Sequence, residues 1–218
     1  MLSRHLFVIV FLIWAGLNPT ATWAGETLRI IAYGDSLSAG FGLPQNDTFP
    51  SQLEAALRAR GHDVSIINAG VSGDTATSGL ARLDWTLSDP ADGIPADGII
   101  VELGANDALR GIDPAITRAA LDKILLQLKT RNMAILIAGM RAPLNMGKAY
   151  AAIFDPIYPD LAEDYEILLY PFFLDGVAGS AELNQMDGIH PSAAGVALIV
   201  ERMVPSVELL IAEIEAKR

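Results

Sequence analysis

The stretch "IIAYGDSLSAGFG", Ile30 to Gly42, changes character at its middle. Ile30–Tyr33 is apolar and rich in strand-forming residues, as in a buried β-strand. Gly34 ends that run, and two serines, Ser36 and Ser38, follow in a break punctuated by glycine. A strand that runs into a short polar turn suits an open α/β sheet, where ligands bind outside the carboxyl ends of parallel strands. The G-x-S-x-G pattern of a strained nucleophile elbow occurs nowhere in the chain. If a serine here acts as a nucleophile, its setting is of another kind.

Outward from this stretch the chain alternates. Leu28–Tyr33 reads as the first strand. Ser51–Arg60 is amphipathic, with Leu53, Ala56 and Leu57 on one face, and Gly61 stops it. Val64–Ile67 is a second strand and Thr75–Leu87 a helix. Gly98–Leu103 is a third strand. Asp113-Pro114 then opens a helix with a capping carboxylate and a proline at the first helical position. Ala134–Ala138 is a fourth strand. Ala149–Leu161 reads as a helix kinked or broken at Pro156 and Pro159. Ile167–Tyr170 is a fifth strand. Ser192–Met203 is a helix, and Pro205 is expected to start another. This order predicts a single α/β domain, a parallel sheet with helices on both faces.

The first residues stand apart. Arg4 precedes an uncharged apolar run, Leu6–Leu17, and small residues lead to "ATWA" at Ala21–Ala24. This pattern predicts a secretory signal peptide over residues 1–24 and a folded domain over 25–218. The apolar run falls short of the roughly 20 residues a membrane-spanning helix needs. The expected address is therefore periplasmic or secreted, without stable membrane insertion after signal removal. The chain has 218 residues, 51% of them hydrophobic, and a net charge of −11. That acidity argues against nucleic acid and against adhesion to anionic membranes. There is no cysteine, so thiolate nucleophiles and thiolate metal sites are excluded. Beyond residue 24 only His62 and His190 remain, too few for a zinc site built on several histidines.

Three polar clusters fall at or just beyond strand ends: "GDSLS", "NAGVSGDT" and "GANDALRG". A serine hydroxyl needs a base to take its proton, usually a histidine oriented by a carboxylate. His62 lies in a helix-to-strand turn at the opposite end of the sheet and reads as a solvated loop residue. His190 lies in "MDGIHPSAAG", three residues after Asp187, a spacing that in a tight turn brings the carboxylate to one ring nitrogen. Gly73 offers an unshielded N–H and Asn106 a side-chain amide, the donor types an oxyanion needs. Asp35, Asp74 and Asp107 read as hydrogen-bond organisers of their loops, with a metal site as the sharper alternative.

In this order, "GDSLS", "NAGVSGDT", "LGANDALRG" and "DGIHP" resemble the motifs of the SGNH (GDSL) hydrolases. The likeness is nearest to the bacterial exported thioesterase, arylesterase and lysophospholipase branch. It runs from about Ile31 to Gly195 and includes "SGLARL" at Ser78–Leu83 and "RAPLNMG" at Arg141–Gly147. The resemblance implies a three-layer α/β/α sandwich, flavodoxin-like, around a five-stranded parallel sheet. It implies a catalytic triad of Ser36, His190 and Asp187, and an oxyanion hole from the Ser36 N–H, the Gly73 N–H and Asn106. It implies no cofactor and no metal. Ala105 stands where many members carry a second glycine. Ser38 is then expected to be a helix-entry or turn residue.

The expected reaction is acyl transfer from a small-molecule ester or thioester to water. Ala108, Leu109, Met140, Pro143, Leu144 and Met146 are expected to line an acyl groove. A carbohydrate or peptidoglycan O-acetylesterase is the runner-up among enzymes. An inactive lipid- or ester-binding protein is the alternative of another class, though a binder has no need of the Asp187–His190 pair.

Overall fold

The structure, a computed structural model, describes residues 26–88 and 95–218. The expected signal peptide lies outside the described residues. Five strands, β1 (Leu28–Gly34), β2 (Val64–Gly70), β3 (Gly98–Glu102), β4 (Ala134–Ala138) and β5 (Leu168–Tyr170), form one sheet in the order β2-β1-β3-β4-β5. Every pairing is parallel. All five residues of β3 and of β4 are buried, as expected of strands covered on both faces. The outer layers are helical. In one, α2 (Phe49–Ala59) packs against α8 (Ala193–Lys217); in the other, α3 (Ala76–Ser88), α5 (Pro114–Thr130) and α7 (Ile157–Tyr165) pack in turn. The α/β/α sandwich with five parallel strands is the expected one.

The chain order reverses at β1. It steps to β2 on one side and then crosses to β3 on the other. The loops leaving β1 and β3 therefore diverge at a topological switch point, the usual crevice for a ligand. Gly34, the last residue of β1, pairs with Gly70 of β2 and with Glu102 of β3.

The elements follow the sequence within a few residues, with one informative difference at Pro205. The helix expected over Ala149–Leu161 is broken as its prolines suggested, into α6 (Gly147–Phe154) and α7, at Asp155-Pro156. Pro159 is accommodated in the first turn of α7, where an N–H has no intrahelical acceptor. The expected new helix at Pro205 is not there: α8 runs unbroken through it. Pro205 removes one bond to the Glu201 carbonyl, but both residues sit on the exposed side of α8. The buried stripe Val196, Ile199, Val200, Met203, Val204, Val207, Leu210, Ile211 and Ile214 holds the helix to the sheet across the proline. Tertiary packing overrides a local penalty of about 3 kcal/mol.

Candidate active site

The site begins where β1 ends. α1 (Ser36–Ala39) follows at once, capped by Asp35, whose carboxylate accepts from the Leu37 N–H at 2.9 Å. Gly40 closes the turn at φ 81°, and the Gly40 and Phe41 N–H groups both donate to the Ser36 carbonyl. Ser36 is the first helical residue, so its N–H has no intrahelical acceptor and stays available. Its Oγ lies 2.9 Å from His190 Nε2.

His190 sits in the loop before α8. Its Nδ1 lies 2.7 Å from Asp187 Oδ2, while Asp187 Oδ1 accepts the N–H groups of Ile189 and His190 at 2.9 and 3.0 Å. Gly188, at φ 70°, permits that tight turn. The His190 N–H and ring, then the Ile189 N–H, stabilise the ionised form and hold the Asp187 carboxyl at about 2. Gln185 ties the two loops together: its side-chain amide donates to the carbonyls of Phe41 and Pro191. The Phe41 ring lies against the His190 imidazole, 4.5 Å between centroids.

Asn106 enters from the other side of the switch point. Gly104, at φ 112°, starts α4 (Ala105–Leu109), whose second residue is Asn106. Its Nδ2 donates to Asp35 Oδ2 and to the Asp74 carbonyl, both at 3.0 Å. A primary amide has two protons, and these two bonds engage both. Gly73, at φ 89°, adjoins Asp74 in the loop after β2, and its N–H has no partner among the described residues. Arg110 donates to the Gly73 carbonyl at 3.0 Å. Arg82 fastens this loop to β1: it donates to Asp74 at 2.6 Å and to the Gly34 carbonyl at 2.9 Å, and lies over the Tyr33 ring.

The acids each have a structural partner. Asp107 accepts from the Ala76 N–H and the Thr117 hydroxyl, capping α3 and steadying α5. Asp74 pairs with Arg82. Asp35 is buried, and burial raises its carboxyl from 3.8 to about 6 against the opposing bonds from Leu37 and Asn106. No cluster of three or more metal-ligating side chains occurs among the described residues.

Ser38 lies in the first turn of α1, as expected of a helix-entry residue; it is fully buried there, and its hydroxyl donates to Glu102 Oε2 at 2.8 Å. His62 is not free in solvent; its Nε2 lies 3.3 Å from Glu208, which also pairs with Arg60. Glu102 itself escaped the sequence reading. Its signal was an acid closing an otherwise apolar strand, "GIIVE".

Beside Ser36 and His190 opens a cleft of about 800 Å³ with a mainly apolar lining. Leu109, Met140, Pro143 and Leu144 line it as expected. Ala108 does not: it is buried on the inward side of α4. Met146 does not either, because its methyl group packs beside Gly111. Phe172, Leu174 and Ile189 supply apolar wall that sequence reading missed, and Arg141 lies over the Phe172 ring.

Residues 32–198 match the model of the GDSL-like Lipase/Acylhydrolase family. An arylesterase of Vibrio mimicus is 40% identical over 181 residues, 83% of this chain and 88% of that protein. The thioesterase 1/protease 1/lysophospholipase L1 of Escherichia coli K12 is 36% identical over 188 residues, covering 86% of each. Among solved structures, the SGNH-hydrolase family esterase AlinE4 superposes with a TM-score of 0.72 at 47% identity, over 85% of this chain and 97% of that one. A parallel sheet with three motif loops at one crevice, a family match over most of the chain and relatives that are esterases and thioesterases agree: the chain is an ester or thioester hydrolase and belongs to the GDSL-like lipase/acylhydrolase family.

Proposed function

We propose that Ser36 is the nucleophile, His190 the general base and Asp187 its orienting carboxylate. One observation carries this reading: the chain Asp187 Oδ2–His190 Nδ1 at 2.7 Å and His190 Nε2–Ser36 Oγ at 2.9 Å, opening onto an apolar cleft. Asp187 keeps the imidazole in the tautomer with the proton on Nδ1, so Nε2 faces Ser36 as an acceptor. Ser36 Oγ attacks the acyl carbonyl as His190 takes its proton. The carbonyl oxygen becomes an anion held by the N–H groups of Ser36 and Gly73 and by Asn106. His190 then protonates the leaving alcohol or thiol, leaving an acyl-enzyme. Water, deprotonated by His190, attacks that ester and releases the acid.

Ser36→Ala tests the assignment. Hydrolysis of 4-nitrophenyl butyrate and labelling by a fluorophosphonate should both vanish while the melting temperature is kept. Wild-type turnover in that variant would refute it.

The cleft supports a reading of the substrate class. An apolar volume of about 800 Å³ suits an acyl chain of several carbons rather than a lone acetyl group. Rates on 4-nitrophenyl esters should rise from acetate to medium chain length. A preference for acetylated sugars would favour the O-acetylesterase instead. Residues 1–24 are read as an export signal, which N-terminal sequencing of the mature protein checks; no helix among the described residues is long and apolar enough to cross a membrane.

A further inference from the structure

Behind the nucleophile turn lies a carboxyl group that the mechanism above does not use. Glu102 ends β3, completely buried, in register with Gly34. Its Oε2 accepts from the Ser38 hydroxyl at 2.8 Å and from the Asp35 N–H at 3.3 Å. Its Oε1 has no partner among the described residues. A buried polar atom without a partner is costly and uncommon in native structures. Natural proteins tolerate such local costs mainly where function needs them. The chain also makes room for it: a side chain at Gly34 would overlap Ser38 Oγ and the Glu102 carboxyl.

The two donors that Glu102 gathers flank Ser36, one from the residue before it and one from two residues after. α1 is four residues long, far below the length at which a helix sustains itself. Its geometry must come from outside. Asp35 supplies one tether, by capping Leu37; Glu102 supplies two more on a single oxygen. Glu102 is anchored in a central strand, whereas α1 is a turn, so the strand sets the position of the turn.

We propose that Glu102 is a positioning residue of the hydrolase, a buried acceptor that brackets Ser36 and sets its Oγ and N–H for attack. The acceptor oxygen does this work. Burial first, and the neighbouring Asp35 second, favour the uncharged form of Glu102. An uncharged group of the same shape therefore suffices.

The test compares Glu102→Gln, which keeps the acceptor and the shape, with Glu102→Leu, which keeps bulk and removes the acceptor. Kinetics on 4-nitrophenyl butyrate are read with melting curves. Glu102→Leu should lose kcat by on the order of 100-fold at unchanged KM, the scale of a small misplacement of reacting atoms. Glu102→Gln should restore kcat to within about threefold of wild type. A folded Glu102→Leu with wild-type kcat overturns the proposal, and so does a Glu102→Gln as impaired as Glu102→Leu. If Glu102→Leu does not fold, Ser38→Ala decides: a loss of roughly tenfold in kcat at constant KM supports the bracket, and an unchanged kcat overturns it. The inference rests on Ser36 as nucleophile, so Ser36→Ala is assayed alongside. Activity in Ser36→Ala would refute that reading. An inactive Ser36→Ala beside a fully active, folded Glu102→Leu would refute the role of Glu102 alone.

Discussion

The two halves of the proposed triad are held in place by different physics. The nucleophile half, Asp35 to Ser38, is buried at the centre of the sheet and tethered over long sequence distances, to Glu102 and to Asn106. The base half, Asp187 to His190, is a loop with a partly exposed carboxylate, and its bonds span two or three residues. The first half depends on the core. The second is a self-contained turn, moored to the first by Gln185 and the Phe41 ring. Damage to the base loop should therefore cost activity without stability, whereas damage beneath Ser36 should cost both.

The largest effect should come from the turn-held half. Asp187→Asn retains an oxygen for the Ile189 and His190 N–H groups but turns an amide donor towards the ring. The imidazole then takes the wrong tautomer, and kcat should fall roughly 10,000-fold with little change in melting temperature. A comparable loss of stability would show that this loop supports the fold.

Next is Asn106→Ala, which removes a proposed oxyanion donor and should lower kcat by about 100- to 1000-fold. It also strips Asp35 Oδ2 and the Asp74 carbonyl of their donor, so a lower melting temperature should accompany the loss. Gly34→Ala probes the buried half directly. Its methyl group overlaps Ser38 and Glu102, and overpacking of this kind costs about 1–3 kcal/mol, read by urea titration.

Acidity should separate the halves by sign. Asp187 has a folded value of about 2, below its ordinary 3.8. Its contribution to stability is small, because the carboxylate is partly exposed; it is complete above 3.8 and is lost as pH falls towards 2. Asp35 behaves oppositely: with a folded value of about 6 the native state holds the proton more tightly, so stability falls as pH rises from about 4 to about 6. Melting curves of Asp35→Asn, which retains a capping side chain, should show a shallower decline, the remainder coming from buried Glu102. The smallest effect belongs to the mooring. Phe41→Ala removes a ring contact on His190 and should reduce kcat by about two- to tenfold, the scale of an aromatic pair. No change at all would mean that Gln185 alone aligns the loops.

Much of this was legible in the chain. The alternation of apolar runs and amphipathic segments predicted the five parallel strands, because burial on both faces demands continuous apolar strands and one-sided helices. The aspartate three residues before His190 was legible because a turn builds that contact from adjacent residues. Other features were opaque. Pro205 suggested a break that the buried face of α8 overrides. Ala108 and Met146 looked like cleft residues, but the side of a helix or loop that faces a cavity depends on what packs behind it. Glu102 looked like an ordinary residue of the third strand, and only the register of β3 against β1 puts its carboxyl under Ser36. Local hydrogen bonds and hydrophobic periodicity are written along the chain. The encounter of Ser36 with His190, and of Glu102 with Asp35 and Ser38, is a long-range contact that exists only once the core has closed around it.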